Sequence, residues 1–372
     1  MDEAAQLFTV GKRFPEHMPV PQRGEVLALL RGYGISFDGE IRLIDSTHDE
    51  NDVRLNYIIG KQWVLRVFKA PGMTEKRMGD LYRLIGRYLE AGILCPQFVQ
   101  DENGFFLHAC EPYQCSLSEY VDLPLAEEAA LADEDLLIRE VQAHTASFAA
   151  SYRNVDLSDT MVMYSLFDLS PFDQEAGIYE KEDNFHQLIA ALRDQSENSL
   201  AAALEAKHAS VRARLKSVYR SLGRCVFQGD ENFSNVLVDA QGHFKGFIDF
   251  NLAGTEVVVN QLANLVGFDY DEARAEPIGA RARLDHAVQG FRANMRRVLE
   301  IYRATPDELY AMNLYAWIVM VAQWPTLCYF KDSLNGALRD EILALLGLLA
   351  QFPEETLTEG LTAGGAGTKG LL

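Results

Sequence analysis

Short apolar–polar alternations dominate the first third of the chain. Ile35 to Asp45, Val53 to Ile59 and Trp63 to Phe68 are rich in Val, Ile and Leu and are separated by polar or glycine-containing breaks. That is the pattern of half-buried strands. The period then lengthens. After Thr74, a residue suited to capping, Arg77, Leu81, Leu84, Ile85 and Leu89 recur at helical spacing, and Gly92 stands just past the end. Phe105 to His108 and Ser116 to Val121 read as two further strands. The order βββαββ predicts a small β-rich lobe over residues 1–118 with one main helix.

From Leu123 the pattern is mostly helical. Leu131 to Ala150, Asn184 to Leu192 and Leu200 to Leu222 carry the 3.6-residue period. One strand island, Cys225 to Phe250, interrupts them, and helices resume near Ala280. A larger helical lobe is therefore expected over residues 119–372, with a Gly-, Thr- and Ala-rich tail from about Glu359 that frays. The longest apolar run, Leu314 to Phe330, is broken by Gln323 and Pro325. It falls short of the ~18–20 uninterrupted residues of a membrane span, so it reads as a buried helix.

Composition alters this picture little. The chain is 48% apolar and 24% charged, as ordinary globular domains are. Its formal net charge of −20 comes with no basic patch, which argues against nucleic acid as a partner. The acidity suits a cationic small molecule and equally serves solubility. Met1 to Arg13 lacks the basic start and apolar run of a secretory signal. The five cysteines form no CxxC pair, so reduced thiols and a cytoplasmic location are expected.

The strand island carries the chemistry. Asn235 follows Asp230 by five residues. A strand, Val236 to Val238, then a turn over Asp239 to Gly242, then a return strand, Phe244 to Ile248, end at Asp249. A hairpin brings its two ends together, so Asn235 and Asp249 face one small volume. An amide oxygen beside a carboxylate is a hard-oxygen pair suited to Mg²⁺, with waters and phosphate oxygens completing the shell. Asp230, one step outside, can accept a proton from an attacking hydroxyl. This is the template of phosphoryl transfer from a nucleotide, D-x-x-x-x-N followed by a second Asp after a hairpin.

The stretch resembles the signature of the aminoglycoside phosphotransferase and choline kinase-like family, whose loop commonly reads H-G-D-x-x-x-x-N followed by I-D-F or I-D-W. Trp63 to Val67 is similar to that family's third strand, and Tyr88 to Pro96 to the end of its small-lobe helix. Glu119, Tyr120 and Val121 fall where its interlobe hinge lies. The resemblance implies an α+β, protein-kinase-like two-lobed fold. It also implies an ATP- or GTP-dependent kinase acting with Mg²⁺ on a small-molecule hydroxyl. Carried over, Asp230 matches the catalytic base, Asn235 and Asp249 the metal ligands, and the backbone of Glu119 to Val121 the adenine support.

Three departures bear on that reading. Gln228 stands where the family usually has His, which leads us to expect a less rigid loop. Arg66 stands where protein kinases place a phosphate-touching Lys; a guanidinium can hold phosphate oxygens with two prongs. Its acidic partner on the helix is Asp80 by spacing, or Glu75, and a surface salt-bridge role fits either acid equally well. The loop Ser46 to Asp52 has no glycine and three acids, so the Ser46 and Thr47 hydroxyls and nearby N–H groups would have to meet the phosphates. The alternative is a pseudokinase that binds nucleotide without transfer.

Two clusters bear on the acceptor: acids at Asp156, Asp159, Asp168, Asp173, Glu175, Glu180, Glu182, Asp183, Asp269, Asp271 and Glu272, and aromatics at Tyr315, Trp317, Trp324 and Tyr329. Together they can bind an amine; separately they are a solvated loop and a buried stripe. A G-x-G-x-x-G match at Gly365 to Gly370 has no preceding strand and cannot build a dinucleotide turn.

Overall fold

The computed structural model describes residues 8–11, 18–47, 49–70, 72–155, 157, 160 and 180–361. The acids at 156, 159, 168, 173 and 175, the Gly365 to Gly370 match and most of the expected fraying tail lie outside the described residues. The chain divides into two compact units, Met1–Ala132 with Asn232–Phe250, and Asp133–Glu231 with Asn251–Leu372. The first lobe expected over residues 1–118 thus extends to 132 and takes in the hairpin.

In the first unit the strands are β1 (Phe8–Gly11), β2 (Ile41–Asp45), β3 (Arg54–Ile59), β4 (Trp63–Phe68), β5 (Phe98–Val99), β6 (Leu107–Cys110) and β7 (Tyr113–Glu119). Their order is β1-β2-β3-β4-β7-β5, with β6 also paired to β7. β1 runs parallel to β2, and the other pairs are antiparallel. Alternation decides which face is core. Leu65 and Val67 of β4 are fully buried with Leu55, Tyr57, Cys115 and Leu117 of the flanking strands. Arg66 therefore lies on the other face, between Asn56 and Ser116 in register.

Two helices belong to this unit, α1 (Arg23–Gly32) and α2 (Glu75–Glu90). Thr74 caps α2 as expected, its side chain accepting the Arg77 N–H at 3.2 Å. β1 and α1 were not expected, and the first strand predicted from Ile35 starts only at Ile41. Ile35 to Phe37 is loop between α1 and β2.

The second unit is largely helical, with helices Glu134–Tyr152, Glu180–Asp194, Asn198–Val218, Val258–Val266, Ala280–Tyr302, Pro306–Ala322, Trp324–Leu334 and Arg339–Ala350. The apolar run read as one buried helix is two. The chain turns extended at Gln323, with ψ 142°. Pro325, which lacks an N–H and clashes with the preceding turn, is tolerated only in the first turn of the second helix. Among the described residues no helix is long and apolar enough to cross a membrane.

Candidate active site

The hairpin forms as its turn chemistry requires. Val236–Val238 pairs antiparallel with Phe244–Phe247. Asp239 Oδ1 accepts the N–H groups of Gln241 and His243, both at 3.0 Å, and Lys245 Nζ sits 2.9 Å from Oδ2. The Lys245 hydrogen bond, followed by that backbone donation, holds the Asp239 carboxyl down to about 2. At the open end the Ile248 N–H donates to the Asn235 carbonyl at 2.9 Å. Asn235 and Asp249 are thereby brought to one end of the hairpin.

Asp249 has a left-handed backbone, φ 54°, which costs a non-glycine residue about 1–2 kcal/mol. The ring of Phe250, buried at 3% exposure, is pinned by an edge contact to Tyr88 of α2 at 5.7 Å. The turn leaves Asp249 Oδ1 3.6 Å from Arg66 Nη1, with the carboxylate about one-third exposed. Asn235, Asp249 and Arg66, three of the expected residues, thus assemble within the first unit. The donor set fits a hard cation. One amide oxygen and one accessible carboxylate are too few to cage it. Among the described residues no group of three or more His, Cys, Asp or Glu could do so either. The remaining positions suit water and phosphate oxygens, as Mg²⁺ prefers.

The helix acids are placed differently from expectation. Asp80, almost fully buried, pairs with Lys76 at 3.5 Å and with Arg83. Glu75 accepts the N–H groups of Phe106 at 3.1 Å and Leu107 at 2.7 Å, tying α2 to the start of β6. The acid facing Arg66 is Asp249, from the hairpin.

The glycine-free loop is closed by its own side chains. Thr47 is buried, and its Oγ1 accepts the Arg54 N–H at 3.0 Å. Ser46 is exposed, with its Oγ 3.3 Å from the Arg54 carbonyl and 3.3 Å from Asn56 Nδ2. Of its three acids, Asp49 accepts the N–H groups of Asn51 and Asp52, and Asp52 pairs with Arg54 at 2.7 Å. In the hinge segment the Glu119 N–H donates to Gln97 and the Tyr120 N–H to Gln62. Among the described residues the Val121 N–H has no backbone acceptor.

In the second unit, strand Arg224–Phe227 pairs with Gly254–Val257 and delivers the loop that carries Asp230. Gln228 is fully buried, and its Oε1 accepts the Asp230 N–H at 2.6 Å. The side chain expected to loosen the loop instead braces it. Gly229 is required: its φ is 87°, and a Cβ there would lie 2.3 Å from the Leu252 carbonyl oxygen.

Carboxylates adjoin the half-buried Asp230. Glu231 accepts from Thr145 Oγ1 at 3.1 Å and Gln261 Nε2 at 3.2 Å. Burial raises its carboxyl to about 7, against the two hydrogen bonds, and the charge of Asp230 adds to the rise. Burial likewise raises Glu180, opposed by Lys181 and Asn184 and reinforced by Asp230. Lys181 Nζ donates to Asn260 Oδ1 at 2.8 Å; burial pushes this lysine down to about 8, against the pull of Glu256 and Glu180. Sequence reading missed Glu231 and Lys181 as parts of this constellation and placed Glu180 only in the acid cluster bearing on the acceptor. A second acid directly after Asp230 was the available signal for Glu231. For Lys181 there was none, since the helix expected from Asn184 begins a turn earlier, at Glu180.

The acid and aromatic clusters largely resolve into structure. Glu182 pairs with Arg212 at 2.8 Å and Asp271 with Arg274 at 3.5 Å. Tyr315 and Trp317 are fully buried core, whereas Trp324 is 53% exposed. Glu272 is the exception: burial first, then the charge of Asp269, raises its carboxyl to about 7 from an ordinary 4.5. The folded state therefore resists ionising Glu272, a penalty that grows above pH 4.5 and is complete above about 7. Glu272→Gln should raise the urea midpoint at pH 8 and leave it unchanged at pH 4.5. An equal change at both values would show that charge is not the cause.

A family model described as "Phosphotransferase enzyme family" matches residues 50–301. No curated protein matches the chain. Among solved structures, the chain is similar to a microcompartment-associated aminopropanol kinase. The two are 14% identical, with a TM-score of 0.52, over 90% of this chain and 97% of the other. It is also similar to an aminoglycoside phosphotransferase from Alicyclobacillus acidocaldarius, 15% identical, with a TM-score of 0.50, over 91% of this chain and 98% of the other. At that identity the likeness is one of fold, and the fold is the kinase-like one expected.

Proposed function

The chain belongs to the phosphotransferase enzyme family, and we propose that it moves the γ-phosphate of ATP or GTP to a hydroxyl of a small molecule. The observation that carries this is the assembly of Asn235, Asp249 and Arg66 at the open end of one hairpin. Asn235 and Asp249 would hold Mg²⁺, which when bound neutralises phosphate charge. Arg66 offers its guanidinium to phosphate oxygens and keeps Asp249 oriented in their absence. The Val121 N–H is the donor left for adenine. The exposed Ser46, rather than the buried Thr47, is the hydroxyl that can reach phosphate. Asp230 orients the acceptor hydroxyl and takes its proton.

The acceptor we favour is a cationic alcohol, such as an amino alcohol or an aminoglycoside. The net charge of −20 and the carboxylates of Glu180 and Glu231 near Asp230 support it. So do the substrates named for an aminopropanol kinase and an aminoglycoside phosphotransferase of the same fold.

Calorimetry of ATP and GTP, with Mg²⁺ and with chelator, tests the nucleotide half. Binding should be more than about tenfold tighter with metal, a difference of about 1.4 kcal/mol, and Asp249→Ala should erase that difference. Equal affinity with and without metal would count against the pair as ligands. A screen of amines, sugars and antibiotics for ATP consumption tests the transfer half. Tight Mg²⁺-dependent binding with no acceptor ever phosphorylated would turn the reading to a pseudokinase.

A further inference from the structure

Glu231 is more than a negative charge beside Asp230, because both of its oxygens are held. It is the last residue of its compact unit before the chain leaves at Asn232. Its two oxygens accept from two different helices: Oε1 from Thr145 on Glu134–Tyr152, and Oε2 from Gln261 on Val258–Val266. Among the described residues no Lys or Arg pairs with it. A carboxylate withdrawn from water without a cation costs stability that an apolar side chain of similar size would not. What the carboxylate provides instead is geometry, two acceptors splayed so as to fix one residue against two rigid elements.

Asp230 is the residue between this tie and the next. On its other side, Gln228 Oε1 holds the Asp230 N–H at 2.6 Å, and Gly229 is confined by the Leu252 carbonyl. We propose that Glu231 is the positioning residue of Asp230: with Gln228 it clamps the loop from both sides. The pair thus holds the loop with Gln in the place where the family usually has His. This rests on reading Asp230 as the base. The clamp requires two hydrogen-bond acceptors or their equivalent, not the charge. In Glu231→Gln the Thr145 hydroxyl can reverse and the Gln261 amide can flip, so both links survive. In Glu231→Leu neither does.

Two readouts on the full chain test it. The first is hydrogen exchange of the Asp230 amide, which needs no acceptor and no turnover. Glu231→Leu should speed it by about tenfold or more, and Glu231→Gln should restore most of the protection. The second is steady-state hydrolysis of Mg·ATP, with water as the acceptor. Glu231→Leu should lower kcat by about 10²-fold, the cost of a small displacement of a reacting group, with the KM for ATP within about twofold. Glu231→Gln should recover most of that loss. Unchanged exchange and kcat in Glu231→Leu overturns the proposal, and so does Glu231→Gln as impaired as Glu231→Leu, which would assign the effect to charge. If Glu231→Leu fails to fold, Thr145→Val removes one donor alone and should give an intermediate loss in both readouts; no change there also overturns it. If the wild type hydrolyses no ATP, the exchange arm still decides the clamp, and the acceptor screen alone decides the phosphotransfer reading.

Discussion

Asp230→Asn should lower kcat by about 10²–10⁴-fold, the usual worth of general-base assistance, while nucleotide affinity stays nearly constant. Asn is almost isosteric, and the Asp230 N–H keeps its bond to Gln228 Oε1, because that bond uses only the backbone. Asp230 is not one of the two residues proposed to hold the metal, so Mg²⁺-dependent binding should survive. Stability should if anything improve at pH 8, since the Asp230 charge is one cause of the raised carboxyls of Glu231 and Glu180. Single-turnover kinetics and calorimetry on the same preparation check both halves. Loss of nucleotide binding as complete as in Asp249→Ala would make Asp230 a ligand or a structural residue, not a base.

Gly246→Ala should cost about 4 kcal/mol of unfolding free energy, among the largest effects of any single methyl group added here. The strand Phe244–Phe247 pairs on its outer edge with Leu94, through Leu94 N–H to the Lys245 carbonyl and Phe247 N–H to the Leu94 carbonyl, both at 2.9 Å. A Cβ on Gly246 would stand 1.8 Å from the Leu94 carbonyl oxygen. Neither side can yield, because the oxygen is backbone and the Cβ is fixed to the backbone of a paired strand. The bridge must open and both hydrogen bonds, at about 1 kcal/mol each, are lost with the packing behind them. Gly86, inside α2 with open space around its Cβ position, is the contrast: Gly86→Ala should stabilise by about 0.5–1 kcal/mol. Urea unfolding of the two variants should give opposite signs. A Gly246→Ala protein as stable as wild type would mean that the Leu94 pairing is not needed for the fold.

The hairpin was legible because its determinants are local. Asp239 and Gly242 specify the turn, the apolar runs on either side specify the strands, and the ends of a hairpin must meet. The Asn235–Asp249 neighbourhood follows from that without tertiary knowledge. The partner of Arg66 did not follow. On helical spacing alone Asp80 was favoured, but Asp80 is consumed by Lys76 and Arg83 on its own helix, one turn to either side. The left-handed turn at Asp249, which sends that carboxylate to Arg66, has no sequence mark: Asp adopts that region more readily than most non-glycine residues, but nothing local demands it at this position. The break at Gln323 was written in Pro325 and outweighed by the apolar run around it. Glu231 and Lys181 were beyond reach for another reason. Each is defined by what other helices bring to it, Thr145 and Gln261 in one case and Asn260 in the other.

The first unit is not a continuous piece of chain, and that shapes how it can be made. Its hairpin is gripped on one edge by Leu94 and on the other by Pro124 and Ala126, through Val238 N–H to Pro124 and Ala126 N–H to Val236 at 3.0 and 2.8 Å. These partners are separated in sequence by the whole of Asp133–Glu231. A chain emerging from a ribosome therefore presents the Leu94 and Leu125 edges long before anything can pair with them. The unit stays open until Phe250 has been made, and closing it requires contacts of long sequence separation, the kind that slow folding and expose strand edges meanwhile. A fragment ending at Ala132 should accordingly be a poor folding unit, and a nick or insertion within residues 133–231 should leave the first unit's own pairings intact while it delays their formation.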